Sequence, residues 1–227
     1  MSHAELVAII GAGRLGTAMA AALRSAGVAV QGPLGRGQAP EGADVVLLCV
    51  PDAAIAEVAD SIAVGPLVGH CSGATTLEPL AGHRAFSLHP LLTVPADVVT
   101  DFRGVPCAVA GDEVAVRLAT TLGMKPLAVA DADRAAYHAA ASMASNFLVT
   151  LEVAAERVAA TAGLSREDLL PLVQATVDNW AALGAAALTG PIARGDHETV
   201  ARHRETLAER APDLLDLYDT LAEATRR

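Results

Sequence analysis

Short apolar runs alternate with helical patterns over the first 130 residues of the chain. The β-branched run Leu6–Ile10 and the apolar run from Asp44 to Val50 predict strands, the second of them buried on both faces as in a parallel sheet. An alanine-rich pattern from Leu15 to Ser25, ended by Gly27, predicts a helix. Further short strands are expected at 28–31, 67–71, 85–88 and 107–110. Strands that alternate with helices predict an α/β fold with a parallel sheet.

The pattern changes near residue 131, after which it is helical throughout. Helices are expected over 134–162, from a cap at Ser165 to about Leu183, and over 199–227 with an interruption at Pro212. Ser165 and Asp168 have the spacing of a capping box. The sequence therefore predicts an α/β domain over 1–130 and an all-helical domain over 131–227.

The composition and charge of the chain argue against several kinds of partner and location. A net charge of −10 and an aromatic content of 3% argue against a nucleic-acid surface. Three cysteines without C-x-x-C spacing predict free, buried thiols in a reducing compartment. The chain shows neither a signal peptide nor roughly 18 uninterrupted apolar residues, so we expect a cytoplasmic protein without a membrane span. The histidines and acids show no metal-site spacing, and no metal is expected.

A glycine-rich loop follows the first strand and opens the first helix. It has the form G-x-G-x-x-G and consists of Gly11, Ala12, Gly13, Arg14, Leu15 and Gly16. In this context the glycines allow a tight turn, close backbone approach to a pyrophosphate and helix–strand packing. The helix N-terminus supplies amides for the phosphates. The sequence predicts a dinucleotide site, the alternative being a glycine-rich turn without a ligand.

The residues after the second strand indicate which dinucleotide binds. An NAD site places an acid there, about 20 residues beyond the loop, whereas this chain has no acid before Glu41. Arg36 suits a 2′-phosphate, so NADP(H) is favoured over NAD, unless Arg36 is an ordinary solvated side chain. Only about a dozen residues separate this strand from Asp44, too few for a further helix and strand, so the nucleotide domain is expected to be abridged.

Three polar residues recur at four-residue spacing on the first helix of the helical region. His138, Ser142 and Asn146 fall within roughly 80° of one α-helical face. A polar stripe on an alanine-rich helix needs a partner or a ligand. His138 suits proton donation during reduction of a carbonyl or imine. The alternative is a solvent-facing or structural histidine.

Two further groups of residues are candidates for ligand contacts. His89, Ser72 and Gly73 follow strands at the edge where α/β sheets bind ligands; Ser72 and Gly73 suit approach to a cofactor. His89 either borders the nicotinamide and substrate or fixes its own loop. The second group is a polar turn between helices, containing Thr189, Arg194 and Asp196. Arg194 suits a substrate carboxylate, and Asp196 either orients Arg194 or caps the next helix.

Taken together, five motifs resemble one family. They are the N-terminal loop, Val50-Pro51-Asp52, Ser87-Leu88-His89-Pro90, Tyr137-His138 through Ser145-Asn146, and Leu188-Thr189-Gly190-Pro191 through Arg194-Gly195-Asp196. This combination is similar to the Rossmann-like oxidoreductases with a C-terminal domain of unknown function 2520. These belong to the superfamily of 6-phosphogluconate dehydrogenase, ketopantoate reductase and pyrroline-5-carboxylate reductase. On this resemblance we add Val50, Pro51 and Asp52 to the cofactor contacts.

The resemblance implies a Rossmann-like NADP-binding domain and a helical domain for substrate binding and homodimerisation. Ketopantoate reductases carry a lysine and asparagines on the helix where this chain has His138, Ser142 and Asn146; here the only lysine is Lys125, before that helix. The leading hypothesis is NADPH-dependent reduction of a small 2-oxo acid, with 2-dehydropantoate (ketopantoate) as the best guess. The alternatives are reduction of a cyclic imine or another small substrate, and a non-catalytic NADP(H)-binding sensor or partner protein.

Overall fold

A computed structural model describes residues 5–96 and 99–226 of the chain. The chain forms two compact units, residues 1–145 (unit 1) and residues 146–227 (unit 2). The helix that begins at Arg134 thus belongs to the unit that contains the sheet. The functional division of the chain at residue 130 stays a prediction.

Unit 1 contains a seven-stranded sheet with the order β2-β1-β3-β4-β5-β6-β7. All neighbouring strands are parallel except β5 and β6, which pair antiparallel. The strands are β1 (Leu6–Ile10), β2 (Ala29–Leu34), β3 (Val45–Leu48), β4 (Leu67–His70), β5 (Arg84–Pro90), β6 (Pro106–Gly111) and β7 (Lys125–Ala128). The α/β fold class is confirmed. The sequence did not predict the short, largely exposed β7 or the reversal at β6.

Helices cover both faces of this sheet because its central strands are apolar on both. Along β1, Val7 and Ile9 join a core with α1 and α3, whereas Ala8 and Ile10 join a second core with α2. The helices of unit 1 are α1 (Arg14–Ser25), α2 (Ile55–Asp60), α3 (Val114–Thr121) and α4 (Arg134–Ser142). Residues 35–44 form a turn and an irregular loop between the edge strand β2 and β3. The nucleotide domain is therefore abridged as predicted.

The predicted single helix over 134–162 is instead divided. Helix α4 of unit 1 is followed by a π-helical segment (Met143–Phe147) and by α5 (Leu148–Ala160), and the rest of unit 2 is also helical. The other helices are α6 (Arg166–Leu183), α7 (His197–Arg210) and α8 (Leu215–Thr225). The predicted capping box at the start of α6 is confirmed, because Ser165 N–H donates to Asp168 Oδ2 at 2.8 Å. Within residues 5–96 and 99–226, no helix has both the length and the apolar character needed to cross a membrane.

Candidate functional site

The candidate site lies along one edge of the unit 1 sheet. Strands β1, β3, β4 and β5 are mutually parallel neighbours, so the segments that follow them emerge side by side. From β1 to β5 this edge spans three inter-strand spacings, roughly 14 Å. Ligands of open α/β sheets bind outside the carboxyl ends of such strands.

The glycine loop after β1 has the geometry that its pattern predicts. Gly11 has a φ of +113°, and a Cβ there would collide with the carbonyl oxygen of Cys49. A Cβ at Gly16 would collide with the carbonyl oxygen of Gly11, so the start of α1 packs closely on the loop. At Gly13, by contrast, an added Cβ would meet none of the described residues within 4 Å. Gly13 is the N-cap of α1 and is exposed, and no side chain caps the first amides of the helix.

Arg36 lies in a tight turn two residues beyond β2. Gly35 N–H donates to Gln38 Oε1 at 2.6 Å, and Gln38 N–H donates to the Gly35 carbonyl at 3.2 Å. Gly37 supplies the positive φ of +78° that this turn requires. The strand before it is anchored to the glycine loop, since Gly11 N–H donates to the Leu34 carbonyl at 2.9 Å. Arg36 is therefore exposed on a short turn that is tethered to the loop.

A network of hydrogen bonds joins the ends of β3 and β4. Ser72 Oγ lies 2.8 Å from Asp52 Oδ2, to which it donates, and accepts from Thr75 N–H at 2.9 Å. His70, which the sequence did not single out as a site residue, is fully buried beneath it. Its Nδ1 accepts from Ser72 N–H at 3.2 Å and its Nε2 is 3.0 Å from the Thr76 carbonyl, to which it must donate. Burial lowers the pKa of His70, consistent with this neutral form.

A cluster of three rings lies beside Gly73 at the ends of β4 and β5. His89 Nδ1 is 2.7 Å from the hydroxyl of Tyr137, and the rings of His89 and His138 lie 6.4 Å apart in an edge-to-face arrangement. A Cβ at Gly73 would lie 2.9 Å from the His89 ring and 3.0 Å from the His138 ring. The predicted residues Gly73, His89 and His138 are thus brought together, with Tyr137 as an additional member.

The three rings of this cluster differ in pKa shift and in exposure to solvent. Burial and the neighbouring His138 and Arg134 lower the pKa of His89 to about 4, so His89 is neutral near neutral pH. Burial also raises the pKa of Tyr137 to about 12, which keeps the phenol protonated. His138 is exposed at the surface of unit 1. Of the three rings, His138 is the one open to solvent and ligands.

Arg134 lies at the start of α4 and its side chain is only 1% exposed. Its guanidinium donates to the Ser72 carbonyl, to Ser87 Oγ and to the carboxylate of Asp131. Sequence analysis missed this residue, because an arginine that opens a helix beside two aspartates is typical of a solvated surface. Its burial comes from contacts with residues 47 and 62 positions away in the chain.

The remaining predicted residues divide between the two units. Ser142 is half-buried in α4, one helical turn beyond His138, whereas Asn146 belongs to unit 2 and lies in the π-helical segment. The α-helical spacing behind the predicted stripe therefore holds only from His138 to Ser142. Within unit 2, Arg194 Nη1 donates to the Thr189 carbonyl at 2.5 Å, and Asp196 caps α7 by accepting from Thr199 N–H at 3.0 Å. The capping alternative for Asp196 is thus present in the structure.

All three cysteines are free thiols. Cys71 and Cys107 are buried as predicted, and Cys49 is half-buried with its sulfur 3.6 Å from that of Cys71. Burial raises the pKa of the Cys107 thiol to about 12, and the pKa of Cys71 is also raised, by its contact with Cys49 and by burial. Such thiols are poor nucleophiles, so Cys71 and Cys107 are packing groups of the core.

The chain is similar to one protein family and to several solved structures. A family model described as "Domain of unknown function (DUF2520)" matches residues 105–225. Among solved structures, a Bacteroides fragilis protein described as an NADP oxidoreductase has a TM-score of 0.83 at 23% identity, with 98% of each chain covered. A reductive aminase from Aspergillus terreus, in complex with NADPH and ethyl levulinate, has a TM-score of 0.69 at 16% identity, covering 99% of this chain and 94% of that chain.

An imine reductase from Streptomyces aurantiacus also matches, with a TM-score of 0.64 at 18% identity and coverage of 98% of this chain and 96% of that chain. These similarities show the fold over nearly the whole length of the chain. A search of curated proteins found no match.

Proposed function

The chain belongs to the DUF2520 family, and we propose that it is an NADP(H)-dependent oxidoreductase that reduces a C=O or C=N group of a small substrate. One observation carries this proposal. The open glycine loop and the ring cluster of His89, Tyr137 and His138 lie on one edge of one sheet, within a single compact unit. An extended dinucleotide anchored at the loop would run along this edge towards β4 and β5.

The residues present fit NADP(H). The space over Gly13 and the free amides at the start of α1 accommodate a pyrophosphate, and Arg36 on its tethered turn can reach a 2′-phosphate. Val50, Pro51, Asp52, Ser72 and Gly73 follow the next two strands of the edge, which supports their assignment as contacts towards the nicotinamide. When bound, NADPH supplies the hydride for the reduction.

The proton is assigned to His138. A neutral substrate that accepts a hydride needs a proton donor, and His138 carries the exposed imidazole of the ring cluster. His89 stays neutral, and the raised pKa of about 12 makes Tyr137 a weaker acid than an ordinary tyrosine, so these two groups are assigned to orienting the site. Ser142, one turn beyond His138 in α4, and Asn146 in the π-helical segment are proposed as the further catalytic residues that the sequence predicts.

The substrate proposed first is a small 2-oxo acid, specifically ketopantoate. Arg194 is assigned to its carboxylate, supported by the planar, exposed guanidinium at the Thr189 turn, with Thr189 and Asp196 at the same turn. His89 is assigned to the substrate side of the cluster beside Gly73.

A C=N substrate is the second candidate, and one feature of unit 1 favours it. Arg134 has all three nitrogens engaged and is therefore not available to a substrate carboxylate. An imine needs no such cation. The names of the structural relatives, an imine reductase and a reductive aminase, point the same way.

A homodimer is proposed from α6. Every residue of α6 is at least partly exposed, and its main packing partner is the turn that directly follows it, 184–187. Its Leu172 and Trp180 are 66% and 62% exposed. Large apolar side chains that are exposed together on one helix are typical of an interface. A second copy of the chain would cover them. In this scheme residues 1–130 bind NADP(H), whereas 131–227 bind substrate and dimerise. Free thiols fit a cytoplasmic location.

The test is NADPH oxidation against a panel of 2-oxo acids, including ketopantoate, and of cyclic imines, alongside thermal unfolding with NADPH or NADH. We expect NADPH to raise the melting temperature more than NADH and at least one member of the panel to be turned over. Binding without any turnover would favour the sensor alternative. Protection by neither nucleotide would contradict the proposal.

A further inference from the structure

We propose that Arg134 is a positioning residue of the candidate site: it fixes the start of α4 on the sheet so that Tyr137 and His138 face His89 and Gly73. The inference rests on the proposed function only for its catalytic readout. The placement of the rings can be measured in the protein whether or not it turns over a substrate.

The guanidinium of Arg134 donates three hydrogen bonds. Nη1 donates to the Ser72 carbonyl at 3.3 Å, Nη2 donates to Ser87 Oγ, and Nε donates to Asp131 Oδ1 at 3.1 Å. The three acceptors lie on three segments, namely the loop after β4, strand β5 and the turn before α4. One planar side chain therefore joins the start of α4 to two neighbouring strands.

The site of Arg134 suits arginine better than lysine. A cation that is 1% exposed is costly to bury unless its donors are all matched. Asp131 supplies the counter-charge from the solvent side, where its carboxylate is 49% exposed. A lysine would keep the positive charge, but its single ammonium group lacks the planar guanidinium that donates to three separate acceptors. The site is thus matched to the shape of the guanidinium as well as to its charge.

Arg134 lies on the same helix as two of the three rings. Arg134, Tyr137 and His138 occupy positions i, i+3 and i+4 of α4 and share one face of the helix. The carbonyl that accepts from Nη1 belongs to Ser72, directly before Gly73, whose Cα faces both histidine rings. A change at Arg134 therefore moves the helix that carries two rings relative to the backbone on which they rest.

Arg134 also acts on His89 by its charge. The groups that face His89 are His138, Tyr137 and Arg134 from α4, Asp52 from the turn after β3, and His70 from β4. Of these, Arg134 is a fixed cation, and it lowers the pKa of His89 together with burial and His138. Removal of its charge should raise that pKa, whereas a lysine should largely preserve it.

The experiment compares Arg134→Met, Arg134→Lys and the control Arg84→Met in the full chain. Arg84 is an exposed arginine of the same unit, paired with Asp112 at 2.9 Å. The readouts are NMR titration of the His89 ring, NADPH affinity, and kcat and KM on the substrate that the panel identifies. Arg134→Met should raise the pKa of His89 and lower kcat by about tenfold or more, with NADPH affinity within about threefold of the original.

The Arg134→Lys variant distinguishes the effect of losing the three hydrogen bonds from the effect of losing the positive charge. It should retain a low pKa at His89 yet lose kcat, because it keeps the cation without the three bonds. If Arg134→Met does not fold, Ser87→Ala removes one acceptor and should change kcat in the same direction by a smaller factor. The proposal is overturned if Arg134→Met matches Arg84→Met in both His89 titration and kcat. If no substrate is turned over, the proposed function fails, and the titration still decides the role of Arg134.

Discussion

The two units of the chain differ in how they bury their apolar residues. Unit 1 packs helices on both faces of its sheet, and Val7, Ile9, Val45 and Leu47 are inaccessible to solvent. In unit 2 the buried apolar residues are Val200, Leu207, Ala211 and Ala222, whereas α5 and α6 contribute none. Unit 1 therefore has an extensive core of its own, whereas α5 and α6 of unit 2 leave apolar side chains exposed. The residues assigned to NADP(H) lie in unit 1, so we expect NADP(H) binding to survive substitutions on the exposed apolar residues of α6.

The largest effect is expected from the proton donor in unit 1. His138→Gln should lower kcat by roughly 10²–10⁴-fold, the usual contribution of a general acid, because the substituted amide does not transfer the proton. NADPH affinity should stay within about threefold, since His138 lies at the ring cluster and not at the glycine loop. Steady-state kinetics and NADPH titration check this. A kcat within about threefold of the original would remove His138 from the chemistry.

The next effect is the pH dependence of stability that His89 imposes on unit 1. The pKa of His89 is lowered from 6.5 to about 4 in the folded chain, so the unfolded chain binds more protons between those pH values. The free energy of unfolding should therefore fall as pH drops from 6.5 towards 4, by up to about 3 kcal/mol from this group. Urea denaturation of the original protein and His89→Gln at several pH values checks this. Equal losses in both proteins would contradict it.

Breaking the proposed dimer should have a somewhat smaller effect, confined to unit 2. Leu172→Glu places a charge on the exposed face of α6 and should raise the dimer dissociation constant by at least about 30-fold. Analytical ultracentrifugation should show a shift from twice the 23.0 kDa chain mass towards one chain. The only tryptophan, Trp180, should report the change by red-shifted fluorescence.

The matched control for this prediction is Val64→Glu, at an apolar residue of unit 1 that is 85% exposed. It should leave both mass and fluorescence unchanged. A monomeric original protein, or equal effects of the two substitutions, would show that unit 2 does not depend on a second copy for its apolar faces.

The smallest effect concerns cofactor preference. Arg36→Ala should weaken NADPH binding by about tenfold, the loss of one charge-assisted contact, and leave NADH binding unchanged. Arg103→Ala is the control, because Arg103 is an exposed arginine of the same unit paired with Asp101. Titration of both nucleotides checks the prediction. An equal loss for NADPH and NADH would show that Arg36 does not read the 2′-phosphate.

The sequence predicted those features that depend on neighbouring residues. The glycine loop, the cap at Ser165 and most helices follow from local patterns and caps, which is why the structure confirms them. The reversal of β6 and the π-helical segment depend on packing and were not foreseen. The same holds for Arg134 and for the pairing of Tyr137 with His89, which join residues 47 or more positions apart. Local composition carries no information about such contacts.

The central claim is that the loop after β1 binds NADP(H), and Gly13 tests it most directly. A Cβ added at Gly13 meets none of the described residues within 4 Å, and its φ of −76° suits any residue, so Gly13→Val should fold and melt within about 4 °C of the original protein, a shift that reflects the weaker N-cap. The same side chain would occupy the space assigned to the pyrophosphate. Calorimetric titration with NADPH should therefore show affinity reduced by about tenfold or more. Unchanged affinity in a normally folded Gly13→Val protein would contradict the account.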